Sequence, residues 1–334
     1  MTDPGGERAP YGRRTVATLG DVPAAQRPAT STYYGLPALK PSDWGWLIAV
    51  YFFIGGMAGA AQVIAQVADL AGRKADRPLV ARGRYLALAG SLVSPVLLIA
   101  DLHTPSRWYN MLRIVRLTSA MSIGSWTLFS FGTLSGLAAT AQALADLHRA
   151  PVWRTVARIV GTPAAVAGAL MATYTGVLLA ATSTPLWASV PRLLPTLFGL
   201  SSTSAALGAL SLLLPHGRSA QPVRRRLDLL SLLSGLAEVA VLRQVESAWR
   251  RRALAEPLDQ RPVQLGFRVG VRAGTAASLV IHALQVLGGR SLGPLGPAAS
   301  LMALASSFIL RAVVLFAGKR SAVRPEDAFR MART

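Results

Sequence analysis

The sequence predicts an all-α integral membrane protein with about eight transmembrane helices in a bundle. Three observations lead there. Of the 334 residues, 52% are hydrophobic and only 15% charged, where soluble domains usually carry about 25% charged residues. The mean hydropathy is +0.40. Long charge-free stretches, near the roughly 20 apolar residues that cross a bilayer, alternate with short basic connections.

The stretches follow in order. Residues 44–67 hold no charge, and 85–100 form a second, short run between Arg84 and Asp101. Residues 117–145, 159–191 and 193–217 hold the third, fourth and fifth spans. The sixth, 229–242, is interrupted by Glu238 and is the weakest in pattern; 273–289 is the seventh, and 291–318 the eighth, with Arg311 inside it. An even number of spans puts both termini on one side, here called the first face. Residues 1–40, rich in Pro, Gly, Arg and Thr, read as a disordered basic tail. Residues 41–318 form the transmembrane domain, and 319–334 a short basic C-terminal tail. Arg13 and Arg14 could seed a twin-arginine signal. The first apolar run begins only at Trp44 and is too long for a signal core, so no cleaved signal is expected.

The charge is lopsided, 35 Lys and Arg against 15 Asp and Glu, for a net +20. Because these residues sit in the connections, they fit headgroup-facing loops and not a nucleic-acid interface. Fewer basic residues fall in loops of the first face than in those of the second. By the positive-inside rule this favours the second face as cytoplasmic, with the basic tails counting against it. The absence of cysteine excludes disulfides, thiolate zinc sites, Fe–S clusters ligated by this chain and c-type haem attachment. A b-type haem would want two facing imidazoles at one depth, whereas His282 lies near the midplane and His103 near a surface, so no metal or haem is expected. Trp44, Trp46, Trp108, Trp126, Trp187 and Trp249 fall near the first face and Trp153 alone near the other. Such skew suggests a face with an additional task, a docking surface or ring-lined pocket, unless it is chance.

Several residues stand out against the apolar background. Gly55 with Gly59, and Gly132 with Gly136, have the small-residue spacing of close helix packing. Asp101, His103 and Arg107 fall within seven residues. Asp101 lies about 24 Å along the second span at 1.5 Å per residue, and Pro105 is expected to end the helix. An acid, an imidazole and a guanidinium at a helix end could carry protons or grip a polar group; the plainer reading is an Asp101–Arg107 ion pair bracing the loop. Tyr174, in mid-span, needs a partner for its hydroxyl and could offer it to a ligand carbonyl or simply pack. Glu238 and His282 lie near the midplane, where ionisable groups are costly and usually pair or line a polar path. Arg311 is a possible partner of Glu238, and the three form either a structural bridge or a proton route. Asp69 reads as interfacial, and His148 and His216 as loop residues.

Three stretches carry a family resemblance: 44–59 (WGWLIAVYFFIGGMAG), 101–113 (DLHTPSRWYNMLR) with 118–126 (TSAMSIGSW), and 174–187 (YTGVLLAATSTPLW). On these the sequence resembles the NrfD/polysulfide reductase membrane-subunit family, PsrC-like in its spans 1 to 4. The resemblance implies a subunit of the prokaryotic cytoplasmic (inner) membrane that exchanges electrons with the quinone pool, menaquinone or ubiquinone, and carries no redox metal. It also implies a four-cluster ferredoxin-like Fe–S subunit docked on the first face, and through it a catalytic, possibly molybdopterin, subunit. The quinone pocket would lie near that face. Tyr174 matches the family's quinone-contacting tyrosine, and Asp101 the acid ending the second span. The histidine and asparagine that the polysulfide reductase pattern places at the start of span 1 are missing, since the residues there are Pro41, Ser42, Asp43 and Trp44. His103 is offered in their place from this sequence alone, with Arg107, Trp44 and Trp108 around it. Tyr174 and His103 would hold the quinone oxygens, Asp101 would take protons, and Glu238 and His282 would extend a path inward. Two other readings are an anchor that docks the Fe–S subunit without quinone chemistry, and a small-solute transporter, against which the lack of a visible inverted repeat argues.

Overall fold

The computed structural model describes residues 37, 39–215, 217, 220–288 and 293–332. The tail to residue 36, with Arg13 and Arg14, and His216 lie outside them. Helix α1, Trp46–Leu70, is apolar almost to its end and stops where Gly72 takes a left-handed φ of 69°, a conformation glycine adopts at little cost. A short 3-10 turn, Lys74–Asp76, leads into α2, Arg77–Asp101, with a proline in its first turn. This helix starts well before the charge-free run it contains, so Arg84 lies two turns inside it. It ends at Asp101, and Pro105 does not terminate it; instead that proline opens a separate 3-10 strap, Pro105–Leu112.

Helix α3, Ala120–His148, is capped by Ser119, whose hydroxyl accepts the Ser122 N–H at 3.4 Å. His148 is thus the last helical residue and not a loop residue. Pro151 opens α4, Pro151–Ala180, where its missing N–H costs nothing. Then come the short α5, Pro185–Ala188, and α6, Leu193–Leu213. Helix α7, Gln221–Arg251, is followed by two short helices, α8 (Glu256–Asp259) and α9 (Val263–Leu265). A π-helical turn, Gly266–Ala273, runs into α10, Gly274–Gly288. The chain ends with α11, Leu295–Ala322, and α12, Pro325–Ala332, so that residues 319–322 continue a spanning helix.

Seven helical segments among the described residues are long and apolar enough to cross a membrane. The long helix outside that set is α7, the one that holds the expected sixth span. Its 31 residues suffice in length, but Asp228, Glu238, Arg243 and Glu246 interrupt its apolar windows. Its outer side carries exposed Leu229, Leu230, Leu233 and Leu236, while Ser231, Ser234 and Glu238 are buried. Apolar side chains outward and polar ones inward is the arrangement a lipid-facing helix requires.

The long helices pack as two groups, α1 to α4 and α6, α7, α10 and α11, joined where α1 and α4 meet α6 and α1 meets α11. Helices α1 and α4 cross at backbone contact. A Cβ on Gly59 would overlap the carbonyl oxygen of Gly168, and one on Gly168 that of Gly59, so the two backbones touch. The second glycine pair behaves differently. A Cβ on Gly136 would meet nothing within 4 Å, and one on Gly132 only Ser91 at 4.0 Å. Neither glycine sits at a close helix crossing, since Gly132 faces α2 only across a cavity and Gly136 has open space beside it.

At the first face α12 folds back on the connection after α7. Arg324 grips the Glu256 carboxylate, Arg330 donates to the Ala253 carbonyl at 2.7 Å, and both arginines approach Asp327 at 3.4 Å. Asp327 is fully buried. Burial outweighs its two arginines and pushes its carboxyl up to about 6 from 3.8, whereas the Arg324 hydrogen bond holds Glu256 below the usual carboxylate range.

Two outcomes follow. Gly59→Ala should lose about 1 to 3 kcal/mol of stability, as overpacking does, while Gly136→Ala should change it by less than about 0.5; thermal unfolding in detergent compares them, and equal effects would contradict the α1–α4 contact. For Asp327 the folded state binds the extra proton, so its contribution to stability declines as pH rises from about 4 through 6. Glu256 acts oppositely, its contribution fading as pH falls below its unfolded range. Asp327→Asn should therefore gain in melting temperature relative to the parent as pH rises from about 4 to 6; a constant difference would mean that the carboxyl does not titrate there.

Candidate functional site

The first-face end of the bundle is built on interlocked tryptophans. Trp44, just before α1, stacks on Trp187 with centroids 5.9 Å apart and meets Phe52 edge-on at 6.3 Å. Trp187 is fully buried and donates its indole N–H to the Val314 carbonyl at 2.8 Å; Trp249 does the same to Leu186 at 2.8 Å. The ring of Trp187 occupies space that a Cβ on Gly318 would fill. The short α5 is thus wedged between α7 and α11.

Beside Trp44 several charged side chains converge. Lys319 donates to the Trp44 carbonyl at 2.8 Å. Asp101, at the end of α2, lies in the field of His103, Lys319 and Asp43. His103 Nε2 is 4.0 Å from Asp43 Oδ2, both side chains largely exposed. The strap carries Arg107 outward, and among the described residues it makes no ion pair with Asp101, so the expected loop brace is not formed. The cation whose charge reaches Asp101 is instead Lys319. Lys319 lies past the charge-free run and is not part of a C-terminal tail, because α11 continues to Ala322 and carries it here.

Tyr174 is buried in α4 and donates its hydroxyl to the carbonyl of Ala120, the first residue of α3, at 2.7 Å. Its ring fits because Gly124 has no Cβ, which would collide with the phenol. Trp108 stands elsewhere. With Met111 and Leu112 of the strap it roofs an apolar cavity of about 250 Å³ whose walls are Pro95 and Leu98 of α2 and Leu128, Phe129 and Gly132 of α3. Ser91, Ser125 and Thr133 are its hydroxyl-bearing residues. Neither Tyr174 nor His103 lines it. The first-face candidates therefore occupy three neighbouring places: a charged mouth, a helix joint and a lateral cavity.

Deeper, between the helices of the second group, lies a polar seam. Ser204 donates to Glu238 Oε2 at 2.7 Å and exchanges a 3.1 Å hydrogen bond with Ser234. Glu238 and His282 line one small cavity of about 20 Å³ with Ser231, Thr275, Ser278 and Ser306, enough for a single water. His282 Nδ1 lies 3.3 Å from Asp228 Oδ1. Asp228, Ser231, Gly235 and Glu238 are spaced three, four and three apart, one face of α7, and that spacing was the available signal for Asp228.

Arg311 is completely buried but does not pair directly with Glu238. Its guanidinium donates to the carbonyls of Phe52 (3.0 Å), Phe198 (3.2 Å) and Ser307 (2.8 Å), and to the hydroxyls of Ser202 (2.7 Å) and Ser307 (2.6 Å). Ser201, at 3.3 Å from it, also reaches toward Glu238 and stands between the two charges. These neutral oxygens satisfy the arginine, which explains why the expected direct salt bridge is absent.

A family model described as "Polysulphide reductase, NrfD" matches residues 38–322. Comparison with individual curated proteins gives no match. The matched range runs from just before α1 to the end of α11 and takes in both helix groups, the tryptophan wedge, the lateral cavity and the seam. The chain is a multi-pass membrane protein that belongs to the NrfD polysulphide reductase family.

Proposed function

We propose that this protein is the quinone-reactive membrane subunit of a respiratory oxidoreductase complex, passing electrons between the quinone pool and a ferredoxin-like Fe–S subunit docked on the first face. Family membership supports the coarser part, a membrane subunit of such a complex. The observation that carries the finer part is the cavity under Trp108. It is apolar, lies at the depth of the first-face helix ends and is partly open at the flank of the bundle. At about 250 Å³ it exceeds the roughly 150 Å³ that accommodates a benzene ring, so a substituted ring fits with its tail directed to the lipid.

A quinone supplies two-electron, two-proton chemistry; this chain supplies the surroundings. Trp108 and Phe129 offer ring faces, and Ser91, Ser125 and Thr133 are the hydroxyls nearest at hand. Tyr174 acts from behind, fixing the start of α3 through Ala120 and thereby the position of Ser125. The carboxylate of Asp101, the imidazole of His103 and the ammonium of Lys319 form the proton-exchanging mouth at the same end. A partner fits the same face, since Tyr109, Ile114, Val115 and Leu117 are exposed on and after the strap beside Arg113 and Arg116. Glu238, His282 and Asp228, with the hydroxyls between them, give protons an inward path; Arg311 sets its local field without joining it.

Titration of the purified full chain in mild detergent with the fluorescent quinol analogue HOQNO should give saturable quenching. Trp108→Ala and Gly132→Leu should each weaken it about tenfold or more, roughly 1.4 kcal/mol, and Tyr174→Phe less. No quenching with the Fe–S partner bound would leave the protein an anchor. In membranes holding the assembled complex, Glu238→Gln should slow proton uptake from the second face at least about tenfold with HOQNO binding intact; an unaltered rate of uptake from that side would sink the inward path.

A further inference from the structure

The second face carries a polar site that the quinone reading does not use. Arg84 points into the bundle two turns inside α2 and is almost fully buried. Its guanidinium donates to Gln142 Oε1 of α3 at 2.6 Å, to Asp69 Oδ2 of α1 at 2.9 Å and to the Ala157 carbonyl of α4 at 3.1 Å. Asp69 is also held by Arg158, at 3.1 and 3.2 Å. The other carboxylate, Asp146, accepts from Gln142 and from Tyr85, each at 3.0 Å. Both acids are therefore consumed by groups already in place.

What remains is an uncompensated basic concavity of about 140 Å³, with five arginines and two aspartates in its walls. Arg73, Arg77 and Arg154 are exposed, and among the described residues none of them has a carboxylate within ion-pair reach. Arg84 Nε is buried without a hydrogen-bond partner in the chain. Next to this basic hollow the same helices expose Val67, Leu70, Val152 and Ile159. Arginines converging in a hollow at a membrane interface match the phosphate group, which they bind by charge-assisted, often bidentate hydrogen bonds. The adjoining apolar side chains match acyl chains.

We propose that this concavity between α1, α2, α3 and α4 is a binding site for a phosphate-bearing anion, supplied by the headgroup of an anionic phospholipid in the surrounding leaflet. The phosphate oxygens take the free donors of Arg73, Arg77 and Arg154 and approach Arg84, while the chains lie along α1 and α4. Occupancy links the loop after α1 to the first turn of α4, and neutralises charge that otherwise repels itself on this face.

The test uses the purified full chain in dodecyl maltoside. Retained lipid is counted by intact-complex mass spectrometry after titration with dioleoylphosphatidylglycerol, and separately with dioleoylphosphatidylcholine; a third arm adds inorganic phosphate. The phosphatidylglycerol should be retained at least about tenfold more tightly than the phosphatidylcholine. Combined Arg73→Gln, Arg77→Gln and Arg154→Gln should abolish that preference, and the same charge loss on the first face, Arg192→Gln, Arg261→Gln and Arg268→Gln, should preserve it. Should the triple variant fail to fold, Arg154→Gln alone, at an exposed position in the first turn of α4, should still reduce the preference several-fold. Inorganic phosphate that displaces the lipid and protects against heat as well as it does would keep the phosphate site and overturn the lipid as its source. Equal retention of both lipids by the parent protein, or indifference to the three arginines, would overturn the proposal.

Discussion

The buried guanidinium of Arg311 is the constraint on which the rest of the architecture turns. A charge at the middle of a membrane bundle is tolerated only if every donor finds an acceptor, and here the acceptors come from three helices. Phe52 of α1, Phe198 and Ser202 of α6, and Ser307 of α11 supply them. These helices lie where the two groups of the bundle meet, so satisfying one side chain fixes the relation of the halves. Gly56 belongs to the same solution, since a Cβ there would press on Ser202 and on the guanidinium. Removing one partner of a buried charged network costs several kcal/mol because the others are left unmet. Two sites inherit their geometry from this point. Ser201 carries the restraint toward Glu238, and two turns along α11 Lys319 is delivered to Trp44.

How much of this was legible in the sequence varied with the kind of signal. Spans that are apolar all round, such as α1 and α11, announce themselves by composition. Helix α7 did so poorly, because the features that disqualify it are the ones it uses. Asp228 and Glu238 face inward onto the seam, and the leucines beside them face outward, so an average over the window cancels what an angular reading would separate. The boundaries of α2 were obscured for a related reason. A charged residue in the sequence marks the edge of an apolar run, yet Arg84 is inside the helix and shielded by Asp69, Gln142 and a backbone carbonyl. The Gly132–Gly136 pair shows the reverse limit, as its spacing permits close packing but cannot supply a neighbour.

The site shows the same division. Tyr174, Asp101, Glu238 and His282 are visible as polar residues in apolar surroundings, and the structure does bring Glu238 and His282 to one cavity. What the sequence could not give is direction. Tyr174 turns its hydroxyl to a backbone carbonyl, His103 turns toward Asp43, and Arg107 turns away from Asp101. Lys319 and Asp43 enter the mouth from opposite ends of the chain, a juxtaposition set by tertiary packing with no local trace. Serines are the largest omission. Ser201, Ser202, Ser204 and Ser307 look unremarkable among apolar residues, yet they are the groups that let a carboxylate and a guanidinium stay buried without touching.

Arg84 and Arg311 are both buried arginines in one bundle, and their surroundings assign them opposite tasks. Around Arg311 the acceptors are neutral oxygens of the chain itself, each within hydrogen-bond reach. At that depth no anion is at hand to complete the shell, so the protein has to complete it. Arg84 sits near the end of its helix, where the bilayer offers phosphate within a few ångströms. There the chain leaves one buried nitrogen unmet, spends both aspartates on internal contacts and adds exposed arginines around a hollow. A purely structural rivet would gain nothing from those additional positive charges, which repel one another and Arg84. Their presence makes sense if the neutralising charge comes from outside the chain, and the interface is the one depth at which a membrane can provide it.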